Sequence, residues 1–249
     1  MRRLVFTLSL TLALPPWCSG QDGPPPPALP AETTLLFVGN SLTYTHDLPG
    51  AVTAVARSLG QDVASVDVAY PNFALEDHWH QGIAGVIRRL RPDVVVLQQG
   101  PSSLPQNQLH LAAWTDSLAR VAREVGAETA LLMVWPSRNR AFAFDDVRDA
   151  YRDAAEKVDG RFIPAGEALR VLAGDEPALD PFGADGFHPS SVGSLLAAMV
   201  TAGTLLDVDL TALPDTLPPG RYGSTTVPLE PELGDLLRNL ADSVVQAWR

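Results

Sequence analysis

The sequence predicts an α/β fold, a three-layer α/β/α sandwich with a central parallel sheet of about five strands. Short apolar runs without polar alternation recur along the chain, and such runs are typical of strands that are buried on both faces. Amphipathic segments of helical period separate these runs. With 46% hydrophobic and 19% charged residues, a chain of 249 residues has enough apolar side chains for a packed core.

Strands and helices alternate in the predicted order of elements. Glycine or proline ends several of them, as Gly60 and Gly126 do for two helices and Pro136 does for a strand. In parallel sheets, functional sites lie beyond the carboxyl ends of the strands. The arrangement is flavodoxin-like. The predicted strands are 34–38, 63–69, 93–97, 129–135 and 161–163. The predicted helices are 49–59, 78–90, 106–125, 144–158, 190–206 and 231–248.

Four parts are predicted along the chain. Residues 1–20 are expected to be an export signal, and residues 21–32 a proline-rich linker. Residues 33–209 form the α/β domain. Residues 210–249 are expected to form a strap and an amphipathic helix that packs on this domain.

The N-terminal segment predicts export to the periplasm or the medium. Arg2 and Arg3 precede an apolar run from Leu4 to Leu14, which is too short to span a bilayer. Cys18 is the only cysteine. One interpretation is cleavage after Gly20, a second is a lipid on Cys18, and a third is a segment that is not cleaved or is not an export signal. A membrane partner is expected only in the second case.

The net charge is −11, and an acidic chain repels phosphate backbones, so nucleic acid is not expected as a partner. No phosphate-binding loop, dinucleotide glycine fingerprint or CxxC motif occurs in the sequence. His78 and His80 face different ways on a helix, so they do not form a metal pair. His46 follows Ser41 closely and could line a pocket there, but the surface is the favoured position. The sequence therefore predicts neither a metal nor a cofactor.

The segment Val38–Thr43 reads VGNSLT and stands between the first predicted strand and the first helix. A serine at this position is exposed at the carboxyl edge of the sheet, where the N–H groups that follow point towards a bound ligand. Ser41 is therefore a candidate nucleophile. The alternative is a turn with helix-capping residues, since Asn, Ser and Thr are common there.

The segment Ala184–Ser190 reads ADGFHPS and precedes the last core helix of the domain. An Asp three residues before a His on one loop can contact one ring nitrogen and leave the other free to face a serine. Asp185 and His188 are therefore candidates for the orienting carboxylate and the general base. The alternative is a turn held by Asp185, with His188 at the surface.

Together, GNSLT and DGFHPS resemble the first and last blocks of the SGNH (GDSL-type) hydrolase superfamily, and the resemblance covers about residues 33–206. It implies that Ser41 is the nucleophile, His188 the base and Asp185 its orienter. Asn40 stands where the family more often has Asp. The implied activity is hydrolysis of ester bonds through an acyl-serine.

The two middle blocks of the family match less well. The family's glycine after the second strand falls near Asn72, whose backbone N–H would serve an oxyanion hole. The family's asparagine after the third strand aligns with Ser102, while the stretch around it also resembles the QGES stretch of sialate and acetylxylan esterases. An amide of Gln98 or Gln99 is then an alternative donor.

The sequence therefore predicts an exported serine esterase or deacetylase acting on a small-molecule or carbohydrate ester. One alternative is a weakened glycan-binding module of the same fold. The other is an acyltransferase to a sugar, which shares the first half-reaction.

Overall fold

The computed structural model describes residues 32–217 and 230–249. The predicted export signal, Cys18 and all but the last residue of the predicted linker lie outside the described residues, and so does part of the strap. Within the described ranges, no helix has the length and apolarity needed to cross a membrane.

Five parallel strands form one sheet in the order β2-β1-β3-β4-β5, which confirms the predicted fold class. The chain moves outwards from β1 to β2 and then returns past β1 to β3. Open α/β sheets hold ligands in the crevice at such a reversal, outside the carboxyl ends of the strands. The residues that follow β1 and β3 therefore flank the expected site. The strands are β1 Thr33–Gly39, β2 Val63–Ala69, β3 Val94–Leu97, β4 Glu128–Leu132 and β5 Arg161–Ile163.

Helices cover both faces of the sheet. The second and eighth helices pack together on one face, and the eighth also contacts the seventh and ninth. The fourth, fifth and sixth helices pack side by side on the other face. The helices are α1 Ser41–Tyr44, α2 Leu48–Ser58, α3 Leu75–His80, α4 Ile83–Leu90, α5 Pro105–Glu124, α6 Phe144–Glu156, α7 Ala165–Asp175, α8 Ser191–Leu206 and α9 Pro231–Ala247.

Two predicted elements differ markedly from the structure. The predicted helix 78–90 is two helices, because Gly82 adopts a φ of 84° and breaks the helical path between α3 and α4. The predicted strand 129–135 ends at Leu132, where its pairing with the three-residue β5 ends. Helix α7 was not predicted. Two glycines lower its helix propensity, but Gly166 allows close packing on the Val134 carbonyl, which a Cβ would approach to 2.5 Å.

Candidate active site

Ser41, His188 and Asp185 form a continuous chain of hydrogen bonds. Ser41 begins α1 just after β1, and His188 lies on the loop before α8. The Nε2 atom of His188 is 2.9 Å from Ser41 Oγ, and its Nδ1 atom is 2.6 Å from Asp185 Oδ2. A carboxylate only accepts, so Nδ1 carries the ring proton and Nε2 is free to accept the serine proton. This is the arrangement that activates a hydroxyl nucleophile.

The carboxylate of Asp185 also shapes the loop that carries His188. Its Oδ1 atom accepts hydrogen bonds from the backbone N–H groups of Phe187 at 2.9 Å and His188 at 3.0 Å. The hydrogen bond from the His188 ring, followed by that from the Phe187 N–H, lowers the pKa of Asp185 to about 2. Asp185 is therefore a carboxylate throughout the neutral and weakly acidic range.

The segment after β4 is hydrogen-bonded to the loop that carries His188. The indole N–H of buried Trp135 donates to the Phe187 carbonyl at 2.8 Å. The backbone N–H of Arg138 donates to the Gly186 carbonyl at 2.8 Å. Neither contact follows from the local sequence, because the partners lie about fifty positions apart.

Gln98 lies directly beneath the nucleophile turn and is almost fully buried. Its Oε1 atom accepts from the Asn40 N–H at 2.8 Å and from the Thr43 hydroxyl at 2.7 Å. Its amide nitrogen donates to Asn40 Oδ1 at 3.1 Å and to the Gln99 carbonyl at 2.6 Å. Both amide hydrogens are therefore used. Of the two glutamines predicted as alternative donors, Gln98 therefore has no amide hydrogen left for an oxyanion, and its side chain anchors the turn instead.

Asn40 links the same turn to the loop after β2. Its side-chain nitrogen donates to the Phe73 carbonyl at 3.0 Å, and its Oδ1 atom also accepts from the Leu42 N–H at 3.1 Å. The second of these bonds caps the first turn of α1. Asn40 therefore ties the nucleophile turn to a neighbouring loop of the site.

Gly39 precedes the turn and leaves no room for a side chain. A Cβ at this position would lie 2.3 Å from Thr43 Oγ1 and 2.4 Å from Gln98 Oε1. The Gly39 carbonyl lies 2.8 Å from the Nε2 atom of His78. Gly39 is therefore enclosed by side chains of the turn, of Gln98 just after β3, and of α3.

His78 is fully buried and anchors β1 to α3. Because a carbonyl only accepts, Nε2 is the nitrogen that carries the proton. The Nδ1 atom is buried and has no hydrogen-bond partner in the described part of the chain. Burial lowers the pKa of His78, so the ring is held in its neutral form. The sequence had suggested only that His78 is not a metal ligand.

A pocket of about 460 Å³ opens beside Ser41. The loops after β1, β2 and β3, the first turns of α5, and Phe187 contribute to its wall. Asn72 lines it with a φ of 61°, in the left-handed region that glycine and asparagine favour. The backbone N–H of Asn72 has no partner within residues 32–217 and 230–249.

The other two predicted donors also line the pocket. The Gln99 amide nitrogen donates to Ser102 Oγ at 2.9 Å, which leaves one amide hydrogen available. The single hydroxyl hydrogen of Ser102 is directed to the Gly100 carbonyl at 3.1 Å. The structure therefore favours Gln99 over Ser102 as the side-chain donor to an oxyanion.

The sequence also raised the placement of His46 and the possibility of a metal site. His46 is exposed, with a φ of 54°, and it does not line the pocket. Among the described residues, no group of three or more His, Cys, Asp or Glu side chains is arranged to hold a metal ion.

Tyr151 supports the loop after β3 and was not predicted. Its hydroxyl accepts from the Gln99 N–H at 3.1 Å and donates to the Gln99 carbonyl. Burial raises the pKa of the Tyr151 phenol, so it remains protonated and able to donate. Nothing in the local sequence around Tyr151 marks it, since its partner belongs to another layer of the fold.

No family model and no curated protein matches the chain. Several solved structures are similar to it. A protein assigned as an SGNH hydrolase from Slackia heliotrinireducens has a TM-score of 0.58 and 24% identity, and the match covers 70% of this chain and 98% of that one. A DUF4886 family protein from Bacteroides uniformis has a TM-score of 0.70 and 16% identity, with 86% of this chain and 95% of that one covered.

An acetylxylan esterase from Geobacillus stearothermophilus is also similar, with a TM-score of 0.52, 15% identity, and coverage of 72% of this chain and 95% of that one. The chain therefore has the fold of the SGNH hydrolases. The resemblance suggested by GNSLT and DGFHPS is confirmed at the level of the fold.

Proposed function

We propose that this protein is a serine ester hydrolase in which Ser41 is the nucleophile, His188 the general base and Asp185 the group that orients His188. The observation that carries the proposal is the unbroken chain from Ser41 Oγ through both ring nitrogens of His188 to Asp185. A glycan-binding module without catalysis would not need this chain, so its presence favours the enzyme.

The reaction proceeds in two half-reactions. Ser41 Oγ attacks the ester carbonyl carbon while its proton passes to Nε2 of His188. The tetrahedral oxyanion collapses, the C–O bond to the alcohol breaks, and His188 returns the proton to the departing alcohol. A water molecule then gives a proton to His188 and attacks the acyl-serine. The second tetrahedral intermediate collapses, the bond between the acyl carbon and Ser41 Oγ breaks, and His188 returns the proton to Ser41 Oγ as the carboxylic acid leaves.

Three N–H groups are proposed to hold the oxyanion. The N–H of Ser41 has no partner within α1, because it belongs to the first residue of that helix. The Asn72 N–H and the remaining amide hydrogen of Gln99 belong to residues that line the same pocket. Donors fixed before the reaction stabilise developing charge more than water does.

The substrate is proposed to be a small or carbohydrate ester. A pocket of about 460 Å³ suits a small ligand, and its mostly apolar wall also carries several amide and hydroxyl side chains that could bind the polar groups of such a ligand. One protein of the same fold is an acetylxylan esterase, which supports this substrate class by analogy. Export through residues 1–20 is part of the proposal, with membrane attachment only if Cys18 carries a lipid.

The test combines labelling with turnover. A fluorophosphonate probe should label Ser41 covalently, and p-nitrophenyl acetate should be hydrolysed in the presence of EDTA. Ser41→Ala should lower the turnover by roughly 10³–10⁶-fold and abolish the labelling. A folded wild-type protein that is labelled at another residue, or that shows no turnover of any ester, would contradict the proposal.

A further inference from the structure

A histidine from α5 lines the same pocket as Ser41 and takes no part in the proposed mechanism. His110 is half-buried, and its Nε2 atom lies 2.9 Å from Glu76 Oε2 on α3. A carboxylate only accepts, so Nε2 carries a proton and is committed to Glu76. The ring nitrogen that remains is Nδ1, and it has no partner in the part of the chain that the structure describes.

Two neighbours on α5 define the surroundings of His110. Asn107 stands one turn earlier and also lines the pocket, so the two side chains share one face of the helix. Trp114 stands one turn later, with its ring centroid 6.3 Å from that of His110. Glu76 and Trp114 therefore restrict the imidazole from two directions and give the pocket a fixed polar group.

A second histidine shares these neighbours but not the pocket. His80 Nε2 lies 3.8 Å from Glu76 Oε1, and its ring centroid is 5.7 Å from that of Trp114. Its side chain is 66% exposed, and it is not among the residues that line the pocket. His80 thus provides a matched control for His110 in the same local environment.

We propose that His110, held by Glu76, is a specificity-determining residue that binds a hydroxyl group of the substrate. This rests on the proposed function of Ser41 and adds the substrate feature that the pocket selects. A hydroxyl both donates and accepts, so it can pair with Nδ1 in the neutral ring and in the charged ring. The selected substrates are esters with a free hydroxyl near the scissile bond, in the alcohol part or in the acyl part.

Two pairs of esters test the proposal and distinguish the two positions of the hydroxyl. Glycerol monoacetate and propyl acetate differ only by hydroxyls in the alcohol. Ethyl 3-hydroxybutyrate and ethyl butyrate differ only by a hydroxyl in the acyl group. His110→Phe keeps an aromatic ring beside Trp114 and removes both nitrogens. It should lower kcat/KM for the hydroxylated ester of at least one pair by about 5- to 10-fold, the range of one hydrogen bond.

The plain esters should change by less than about twofold, and His80→Phe should leave all four values near those of the wild type. If His110→Phe does not fold, Glu76→Gln tests the proposal instead, because it alters only a half-exposed carboxylate. It should cause a smaller loss, of about 2- to 5-fold, again confined to hydroxylated esters.

Equal losses on the plain and hydroxylated esters in folded variants, or no loss on either, would overturn the role of His110 while leaving the role of Ser41 intact. If the wild type shows no Ser41-dependent hydrolysis of any of the four esters, this inference fails. The proposed function fails with it only if fluorophosphonate labelling of Ser41 and hydrolysis of p-nitrophenyl acetate are absent as well.

Discussion

The two halves of the candidate site are held in different ways. On the nucleophile side, Asn40, Gln98 and His78 are all buried and bonded to one another or to the turn backbone. On the base side, the side chains of Asp185 and His188 are 52% and 37% exposed and lie on a loop. Hydrogen bonds in a buried network are costly to break, whereas an exposed pair contributes little to stability.

We therefore expect fold stability and activity to be coupled on the nucleophile side of the site and separable on the base side. Substitutions on the base side should remove chemistry from a protein that melts normally. Substitutions beneath the turn should lower stability and activity together, because the same hydrogen bonds serve both.

Among the substitutions that test this comparison, replacing the base should have the largest effect on activity. His188→Gln removes the group that accepts the Ser41 proton, so kcat should fall by roughly 10²–10⁴-fold. Because the side chain is partly exposed, the melting temperature should change little. Activity is measured with p-nitrophenyl acetate alongside thermal melting. A large drop in melting temperature would mean that the two halves are not separable in this way.

Removing the anchor beneath the turn should affect both properties. Gln98→Leu leaves the buried Asn40 N–H and Thr43 hydroxyl without an acceptor, which should cost at least about 2 kcal/mol of unfolding free energy. The labelling rate of Ser41 should fall as the turn loosens. Urea unfolding and probe labelling measure the two effects.

Ser102→Ala is the control for this experiment. It removes one hydroxyl from the wall of the pocket beside Ser41 and should lower the unfolding free energy by about 0.5–1.5 kcal/mol. If Gln98→Leu were no more destabilising than Ser102→Ala, Gln98 would not be an anchor of the turn.

The buried histidine should give the smallest effect, seen in the pH dependence of stability. The folded state lowers the pKa of His78 below its ordinary value of 6.5, so the unfolded state takes up a proton first as the pH falls. The stability due to this shift is present above about pH 6.5 and is lost as the pH falls below it. His78→Gln keeps a donor for the Gly39 carbonyl but does not titrate.

On going from pH 7.5 to 5.5, the unfolding free energy of the wild type should therefore fall more than that of His78→Gln, by at most about 1.4 kcal/mol per pH unit. Urea unfolding at the two pH values measures the difference. The same slope in both proteins would show that His78 binds its proton equally well in both states.

The sequence was sufficient to predict those parts of the candidate site whose placement depends on neighbouring residues in the chain. GNSLT follows an apolar strand, and Asp185 lies three positions before His188, so both placements depend on short stretches of chain. The function of Gln98 depends instead on the register in which Leu97 pairs with Val38, and this register brings Gln98 beneath Asn40. A glutamine at a strand end carries no local sign of whether it points into a pocket or under a turn.

The positions that were not predicted have similar physical reasons. Helix α7 contains two glycines, and the close approach of Gly166 to the Val134 carbonyl is a tertiary contact that a sequence pattern does not report. Trp135 and Tyr151 act on the site through partners about fifty residues away. His78 resembles a surface histidine of a short helix until the contact with β1 is known.

The enclosure of Gly39 has a consequence for how this turn can evolve. An alanine there would overlap Thr43 and Gln98 at once, and shortening either partner alone removes one obstacle and leaves the other. Substitutions at positions 39, 43 and 98 are therefore coupled. A side chain at position 39 alone should destabilise the protein, whereas joint substitutions at all three positions can be tolerated. A library that randomises position 39 alone should return glycine, whereas one that randomises all three positions together has access to other solutions for the same turn.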